Sequence, residues 1–184
     1  MMWRGGVALA AAVLAAAALA LGCESNLPPE APDRPAAKAS NGNVRVGDLA
    51  PDFDVMNASR NTGDRLRLVK GKVNLLFFWS TSSAGAKDAM PVLSDLQKRY
   101  TGRGLVVSAI ATDEDVMDVA RVSGDMGATF DVGWDETKSA QTRYRPPTDA
   151  SIFIVDKAGV VRFIHGGYSG GLAGDLEREC SSLL

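Results

Sequence analysis

Two nearly continuous apolar runs in the middle of the chain predict buried strands. Val73–Trp79 reads Val-Asn-Leu-Leu-Phe-Phe-Trp, and Leu105–Ala111 reads Leu-Val-Val-Ser-Ala-Ile-Ala. Short runs with so few polar residues are typical of strands that are covered on both faces. A short strand is expected at 130–134, and a hairpin of strands 151–155 and 160–165 is expected around a Gly-containing turn at 156–159.

Between these strands the apolar positions recur every three or four residues, which predicts helices. The first is expected over Ala84–Tyr100, with a kink at Pro91. The others are expected over Glu114–Met126, Glu136–Tyr144 and Leu172–Leu183. Before the first buried strand, residues 44–69 predict a β-hairpin with its turn at 61–64. This order predicts an α/β domain, a central sheet with helices on both faces and an N-terminal β-hairpin extension.

The N-terminal region is interpreted as an export signal. Arg4 precedes Val7–Leu21, a run of Ala, Val and Leu that is short for a membrane span of roughly 20 residues. The run leads into Ala20-Leu21-Gly22-Cys23, which resembles a bacterial lipoprotein box, so Cys23 is expected to be lipidated. Ordinary cleavage and a retained anchor stay open as alternatives. We therefore expect a signal peptide at 1–22, a Pro- and Ala-rich disordered tether at 23–43 and one folded domain at 44–184.

Composition narrows the chemistry that the chain can support. It has 184 residues and a formal net charge of -2, without a long run of either sign, so charge indicates neither nucleic-acid binding nor an anionic membrane surface. The two cysteines, Cys23 and Cys180, are too few for a disulfide framework or a zinc site. The single histidine, His165, has no cluster of other metal ligands around it in the sequence. No metal and no cofactor is expected.

Three segments together carry a family resemblance. They are Val46-Gly47-Asp48-Leu49-Ala50-Pro51-Asp52-Phe53, then Gly71–Thr81 followed by Met90-Pro91-Val92-Leu93, and lastly Phe153-Ile154-Val155-Asp156-Lys157-Ala158-Gly159. They resemble the TlpA/ResA-like branch of the thioredoxin superfamily, within the wider redoxin (AhpC/TSA-like) group. The resemblance extends from residue 46 to about residue 180. It implies a thioredoxin-like fold with a mixed sheet.

The resemblance also shows that the family's active-site residues are missing. Where the family has Trp-Cys-x-x-Cys, this chain has Ser82-Ser83-Ala84-Gly85-Ala86, without a gap in the spacing. The resemblance places Ser83 at the nucleophilic cysteine and Ala86 at the resolving one. It places Ala89 at a nearby acidic residue and Ala150 at the cis-proline. A non-proline cis bond costs about 2.5–4 kcal/mol, so the bond preceding Ala150 is expected to be trans.

These replacements predict the loss of thiol–disulfide chemistry. Exchange needs a thiolate that attacks and a second thiol that resolves the mixed disulfide. A serine hydroxyl is a weak nucleophile unless a general base is adjacent, and His165 is expected on a later strand. A peroxidatic cysteine in a Thr-x-x-Cys setting is missing too, since Ala84 stands three residues after Thr81.

Each remaining candidate residue has a structural and a functional interpretation. Ser82, Ser83 and Gly85, with Arg145 and Asp149 on a facing loop, could form a groove that binds a peptide or an anion at a helix N-terminus. The alternatives are simple helix capping by Ser80–Ser83 or a junction without function. Cys180 is expected to be a small buried residue whose acidic neighbours raise its pKa, rather than a reactive thiol. Trp79 and Trp134 are expected in the core, and His165 at a strand end.

The sequence therefore favours a redox-inactive, thioredoxin-like lipoprotein of the bacterial cell envelope. It would face the periplasm, held to a membrane by its lipid, with the outer membrane favoured because Glu24 follows Cys23. Its expected partner is an envelope protein or peptide, and not a nucleic acid. A thiol–disulfide oxidoreductase or antioxidant protein, which the family implies, is the alternative. A metal or haem delivery protein ranks last, because that role needs paired cysteines and a histidine.

Overall fold

The computed structural model describes residues 43–60, 62–113 and 115–184. The expected signal peptide, Cys23 and the tether up to residue 42 lie outside the described residues.

The described residues form seven strands and four α-helices, and helices follow strands in the predicted order. The strands are β1 (Val55–Asn57), β2 (Arg65–Leu66), β3 (Val73–Trp79), β4 (Leu105–Ala111), β5 (Asp131–Trp134), β6 (Ala150–Val155) and β7 (Val161–Gly166). The helices are α1 (Ala84–Tyr100), α2 (Val116–Asp125), α3 (Ser139–Tyr144) and α4 (Leu172–Leu183), with a 3-10 turn at Thr101–Arg103. None of these helices is long and apolar enough to cross a bilayer.

The strands form one mixed sheet in the order β2-β1-β5-β4-β3-β6-β7. β3 pairs in parallel with β4 and antiparallel with β6, so it is a central strand. The predicted N-terminal hairpin is present as β1 and β2, which pair antiparallel at one edge. The second predicted hairpin is present as β6 and β7 at the other edge. The central sheet is therefore mixed, as expected.

Apolar side chains on both sheet faces explain why β3 is apolar throughout. On one face, α1 and α4 cover Leu75, Phe77 and Trp79, and Val119 of α2 belongs to the same core layer. On the other face, Tyr144 of α3 packs with Phe78 and with residues of the N-terminal segment. All seven residues of β3 are buried. The prediction of helices on both faces is confirmed.

The starts of two helices differ from the sequence prediction. The side chain of Asp115 caps α2, accepting from the Met117 N–H at 2.7 Å. α3 begins at Ser139 rather than Glu136, because Asp135 holds the intervening residues in a turn. The Asp135 carbonyl accepts from Lys138 N at 2.9 Å. The Asp135 carboxylate accepts from Ser139 N at 3.0 Å and from Gln141 N at 2.8 Å. α1 continues through Pro91 without interruption, so the predicted kink stays a prediction.

Candidate functional site

The loop between β3 and α1 is held in place by an acidic residue that follows β4. Asp113 accepts hydrogen bonds from the backbone N–H of Thr81 at 2.9 Å and from its Oγ1 at 2.6 Å. The Thr112 N–H donates to the carbonyl of Trp79 at 3.1 Å. The indole of Trp134 donates to the Asp113 carbonyl at 2.8 Å. The loop that precedes α1 is therefore fixed to the ends of two neighbouring strands.

Ser83 is the N-cap residue of α1, but its side chain does not cap the helix. Its backbone is extended, with φ -68° and ψ 119°, and no capping hydrogen bond forms. The residue is only 4% exposed, and its Oγ has no hydrogen-bond partner in the described part of the chain. The interpretation of Ser83 as a capping side chain is therefore wrong. A buried hydroxyl without a hydrogen-bond partner destabilises the folded state.

Ala86 and Ala89 lie in the apolar core beneath the start of α1. Both are fully buried and belong to the same layer as Trp79. The resemblance assigns these positions to a resolving cysteine and to an acidic residue, and methyl groups occupy both. No acidic side chain is present in the first turn of α1. Positions 86 and 89 therefore supply neither a thiol nor a carboxylate that could take up its proton.

The facing loop reaches Ala150 through trans peptide bonds, as expected, since the described residues contain no cis bond. A local network fixes the loop: Ser151 Oγ accepts from the Thr148 N–H at 3.0 Å and donates to the Thr148 carbonyl at 2.8 Å. Ala150 then begins β6 opposite Trp79. Arg145, at the start of the loop, has a left-handed backbone with φ 46°.

Gly85, in the first turn of α1, lies close both to Ala150 and to Tyr168. A Cβ placed on Gly85 would lie 3.3 Å from the Ala150 Cβ, 3.2 Å from the Tyr168 carbonyl oxygen and 3.3 Å from the Tyr168 Cβ. Tyr168 is half-buried, and burial, with a smaller contribution from Asp88, raises the pKa of its phenol. The segment after β7 thus packs against the first turn of α1. The junction is closed at this point.

One of the residues proposed from sequence for a groove lines a hollow beside the end of β3. This hollow of about 250 Å³ is lined by Phe78, Trp79, Thr112, Gln141, Pro146, Thr148 and Asp149. Asp149 is therefore the one groove candidate that lines it. Of the other groove candidates, Ser82 and Arg145 are exposed, Ser83 is buried and Gly85 is half-buried. The groove stays a prediction, and its accessible candidates are Ser82, Arg145 and Asp149.

The other candidate residues occupy structural positions. Cys180 is fully buried, and burial, with a contribution from Glu179, raises the pKa of its thiol to about 12. His165 Nε2 lies 2.8 Å from Glu179 Oε2, which joins β7 to α4. Trp79 is in the core as expected, whereas Trp134 is half-buried. Within residues 43–60, 62–113 and 115–184, no group of three acidic, histidine or cysteine side chains is placed to hold a metal ion.

Sequence reasoning missed Asp113 and Tyr168. Asp113 comes two residues after a parallel strand, and polar side chains in that position meet at the carboxyl edge of a sheet. That signal was available in the sequence. Tyr168 had no comparable signal, because its contact with Gly85 depends on the path of the chain after β7.

The fold and the altered site define a thioredoxin-like protein without the dithiol. The AhpC/TSA family model matches residues 46–164, and the chain belongs to this family. It is similar to the thiol-disulfide oxidoreductase ResA of Geobacillus kaustophilus, with 29% identity over 76% of this chain and 79% of that protein. It is also similar to the thioredoxin-like protein YneN of Bacillus subtilis, with 29% identity over 67% of this chain and 73% of that protein. Among solved structures, a putative thiol:disulfide interchange protein DsbE from Chlorobium tepidum superposes with a TM-score of 0.71. The two are 24% identical over 77% of this chain and 99% of that one.

Proposed function

We propose that this protein is a redox-inactive envelope lipoprotein that binds a protein or peptide without covalent chemistry. The observation that carries the proposal is the buried hydroxyl of Ser83 and the methyl group of Ala86 at the positions of the family's dithiol. Without a thiolate there is no attacking group, and without a second thiol no mixed disulfide can be resolved. Cys180 does not replace them, because it is fully buried on α4 with a pKa of about 12.

The surface around the junction supports a noncovalent role. Asp149 lines a hollow with polar neighbours, and Ser82 and Arg145 are exposed in the two loops that flank the start of α1 and of β6. The first backbone N–H groups of a helix lack intrahelical partners, so the start of α1 offers donors to an extended segment. Ser82 adds a hydroxyl, and Arg145 and Asp149 add one charge of each sign. An extended peptide with charged side chains suits this surface.

Export and lipidation are part of the same proposal and rest on the sequence. Arg4, the apolar run Val7–Leu21 and Gly22-Cys23 form the expected signal and lipidation site. A lipid on Cys23 would hold the domain at the periplasmic side of a membrane, with the outer membrane favoured by Glu24. The following tether of about 20 residues would let the domain reach partners in the periplasm.

The first prediction is the absence of catalysis. The purified protein should not accelerate the reduction of insulin by dithiothreitol, and should not consume peroxide with a thiol donor. A Cys180→Ala variant is the matched control, because it removes the remaining thiol of the domain. If catalysis is present and survives this substitution, an oxidoreductase role is the better function and the proposal fails.

The second prediction concerns the groove. Partners that the wild-type chain captures from envelope extracts should be lost from a variant that combines Arg145→Glu with Asp149→Lys, since both local charges are reversed. Arg178→Glu is the control, because Arg178 is also an exposed arginine and lies on α4. Equal capture by all three chains would place binding elsewhere on the domain.

A further inference from the structure

We infer that the end of the domain remote from the candidate site is a membrane-contacting surface. Apolar side chains there would enter the bilayer interface, and lysines would lie at the lipid phosphates. The inference rests on the proposed lipid anchor, because the anchor keeps the domain close to a bilayer. Its consequence is an orientation in which the groove candidates point away from the membrane.

The first observation is a cluster of exposed apolar side chains. The described residues leave four large apolar side chains substantially exposed, and three belong to this end: Val46 at 61%, Leu49 at 40% and Val69 at 41%. Leu49 and Val69 line one hollow of about 380 Å³, together with Ala50, Leu68 and Val155. The fourth, Met117, is on α2 and lines a different hollow. Exposed apolar patches of this kind mark interaction surfaces.

The second observation is the position of this cluster in the fold. Val69 precedes β3 by a few residues, whereas the candidate site begins directly after Trp79 at the other end of the strand. A strand of seven residues rises roughly 20 Å, at about 3.3 Å per residue. The hollow and the candidate site are therefore at opposite ends of the central strand.

The third observation is the charge around the hollow. Lys70 and Lys157 are exposed and line it, with Lys157 Nζ donating to the Leu184 carbonyl at 2.5 Å, and Arg45 is exposed near Leu49 in the chain. Of the two acids in the lining, Asp156 is 7% exposed and pairs with Arg162 at 2.7 Å, while Asp52 is exposed. Lysines beside apolar side chains suit an interface with anionic lipids, where each lysine near the surface is worth about 1 kcal/mol of binding, or about fivefold.

The fourth observation is where the chain enters the domain. Val44 is buried in one core layer with Val155 and Val161. A turn follows, in which the Asp48 N–H donates to the Arg45 carbonyl at 3.1 Å, and Gly47 N donates to the Val161 carbonyl at 2.8 Å. The chain then reaches Leu49 at the hollow. The segment that carries Cys23 thus joins the domain beside the apolar cluster.

The proposed lipid on Cys23 favours a bilayer over other occupants, because it keeps the whole domain near a membrane. A tether of about 20 residues can extend to roughly 70 Å, so it permits every orientation and fixes none. It does keep the surface at high effective concentration near the membrane, where weak contacts suffice. A lipid chain combined with a second contact of apolar and basic residues gives more stable membrane association than either alone.

The test is lipid photocrosslinking from defined positions on the full chain. Val46 or Val69 is replaced by p-benzoylphenylalanine, and the chain is reconstituted into vesicles of phosphatidylethanolamine and phosphatidylglycerol. Met117 with the same replacement is the matched control, because it is still more exposed but on α2. We expect lipid adducts at positions 46 and 69 about tenfold above those at 117, and a loss of that excess with Lys70→Glu and Lys157→Glu combined.

Three results would overturn the inference. They are equal lipid adducts at all three positions, adducts to a second copy of the chain from 46 and 69, and an unchanged excess after both charge reversals. The mass of the N-terminal peptide reports lipidation separately. A Cys23→Ala chain is reconstituted in parallel through its apolar run, so a failure of the lipid anchor would not hide the orientation.

Discussion

Gly133→Ala is expected to lower the free energy of unfolding by about 2–3 kcal/mol, as overpacked sites in a close-packed core typically do. Gly133 of β5 pairs with Asn57 of β1, and an added Cβ would lie 2.5 Å from Val55 Cγ2 and 3.0 Å from Leu66 Cδ1. Val55 and Leu66 are buried, so the β1–β2 hairpin would have to move away from β5. Thermal unfolding followed by circular dichroism should show a midpoint lower by roughly 5–10 °C.

Gly124→Ala is the matched control for this substitution. Gly124 is in α2, and a Cβ there would meet no atom within 4 Å. Alanine is favoured over glycine in a helix interior by about 1 kcal/mol, so the same chemical change should leave the midpoint unchanged or raise it. A wild-type midpoint for Gly133→Ala would mean that the hairpin does not pack on β5 as described.

The sequence predicted the central elements well because their pattern and their environment agree. β3, α1, β4 and α4 have the bounds that were expected, since continuous burial and helical periodicity are properties of the residues themselves. The start of α3 was predicted three residues too early. It is set by the buried carboxylate of Asp135 and by a left-handed backbone at Lys138, and neither is visible in a hydrophobic pattern.

The site was predictable in its components but not in its shape. The family resemblance placed Ser83 and Ala86 where α1 begins, and the structure has Ser83 as the N-cap and Ala86 in the first turn. Ala150 was expected in the loop before a strand at 151–155, and it is the first residue of β6. The resemblance gave no reason to expect that Ser83 is buried. It also gave no reason to expect that Tyr168, from a distant part of the chain, approaches Gly85 two residues further on. Contacts of this kind depend on tertiary packing, which a single sequence does not specify.

Two serines that are adjacent in the chain allow the closed junction to be tested directly. Ser82→Cys is expected to react with 5,5′-dithiobis(2-nitrobenzoate) at least about 100-fold faster than Ser83→Cys, because burial that raises a thiol pKa by two units lowers the thiolate fraction about 100-fold. Ser82 is exposed, whereas Ser83 is 4% exposed, so the reagent also reaches the two positions unequally. Cys180 contributes little background, since it is fully buried with a pKa of about 12.

The N-terminus of α1 lowers the pKa of a thiol at position 83, whereas burial raises it. The size of the helix effect therefore decides which of the two dominates. A helix N-terminus stabilises a negative charge by about 0.3–1 kcal/mol at an exposed site and by up to about 2 kcal/mol at a partly buried one, which is at most about 1.5 pKa units. Burial shifts a pKa by up to 3–5 units and also blocks contact with the reagent, so burial should dominate at position 83. Faster reaction of Ser83→Cys than of Ser82→Cys would show instead that the junction is open and still activates a thiol. In that case restoring sulfur at 83 and 86 would be expected to restore exchange chemistry, and the loss of function would rest on the two missing cysteines alone.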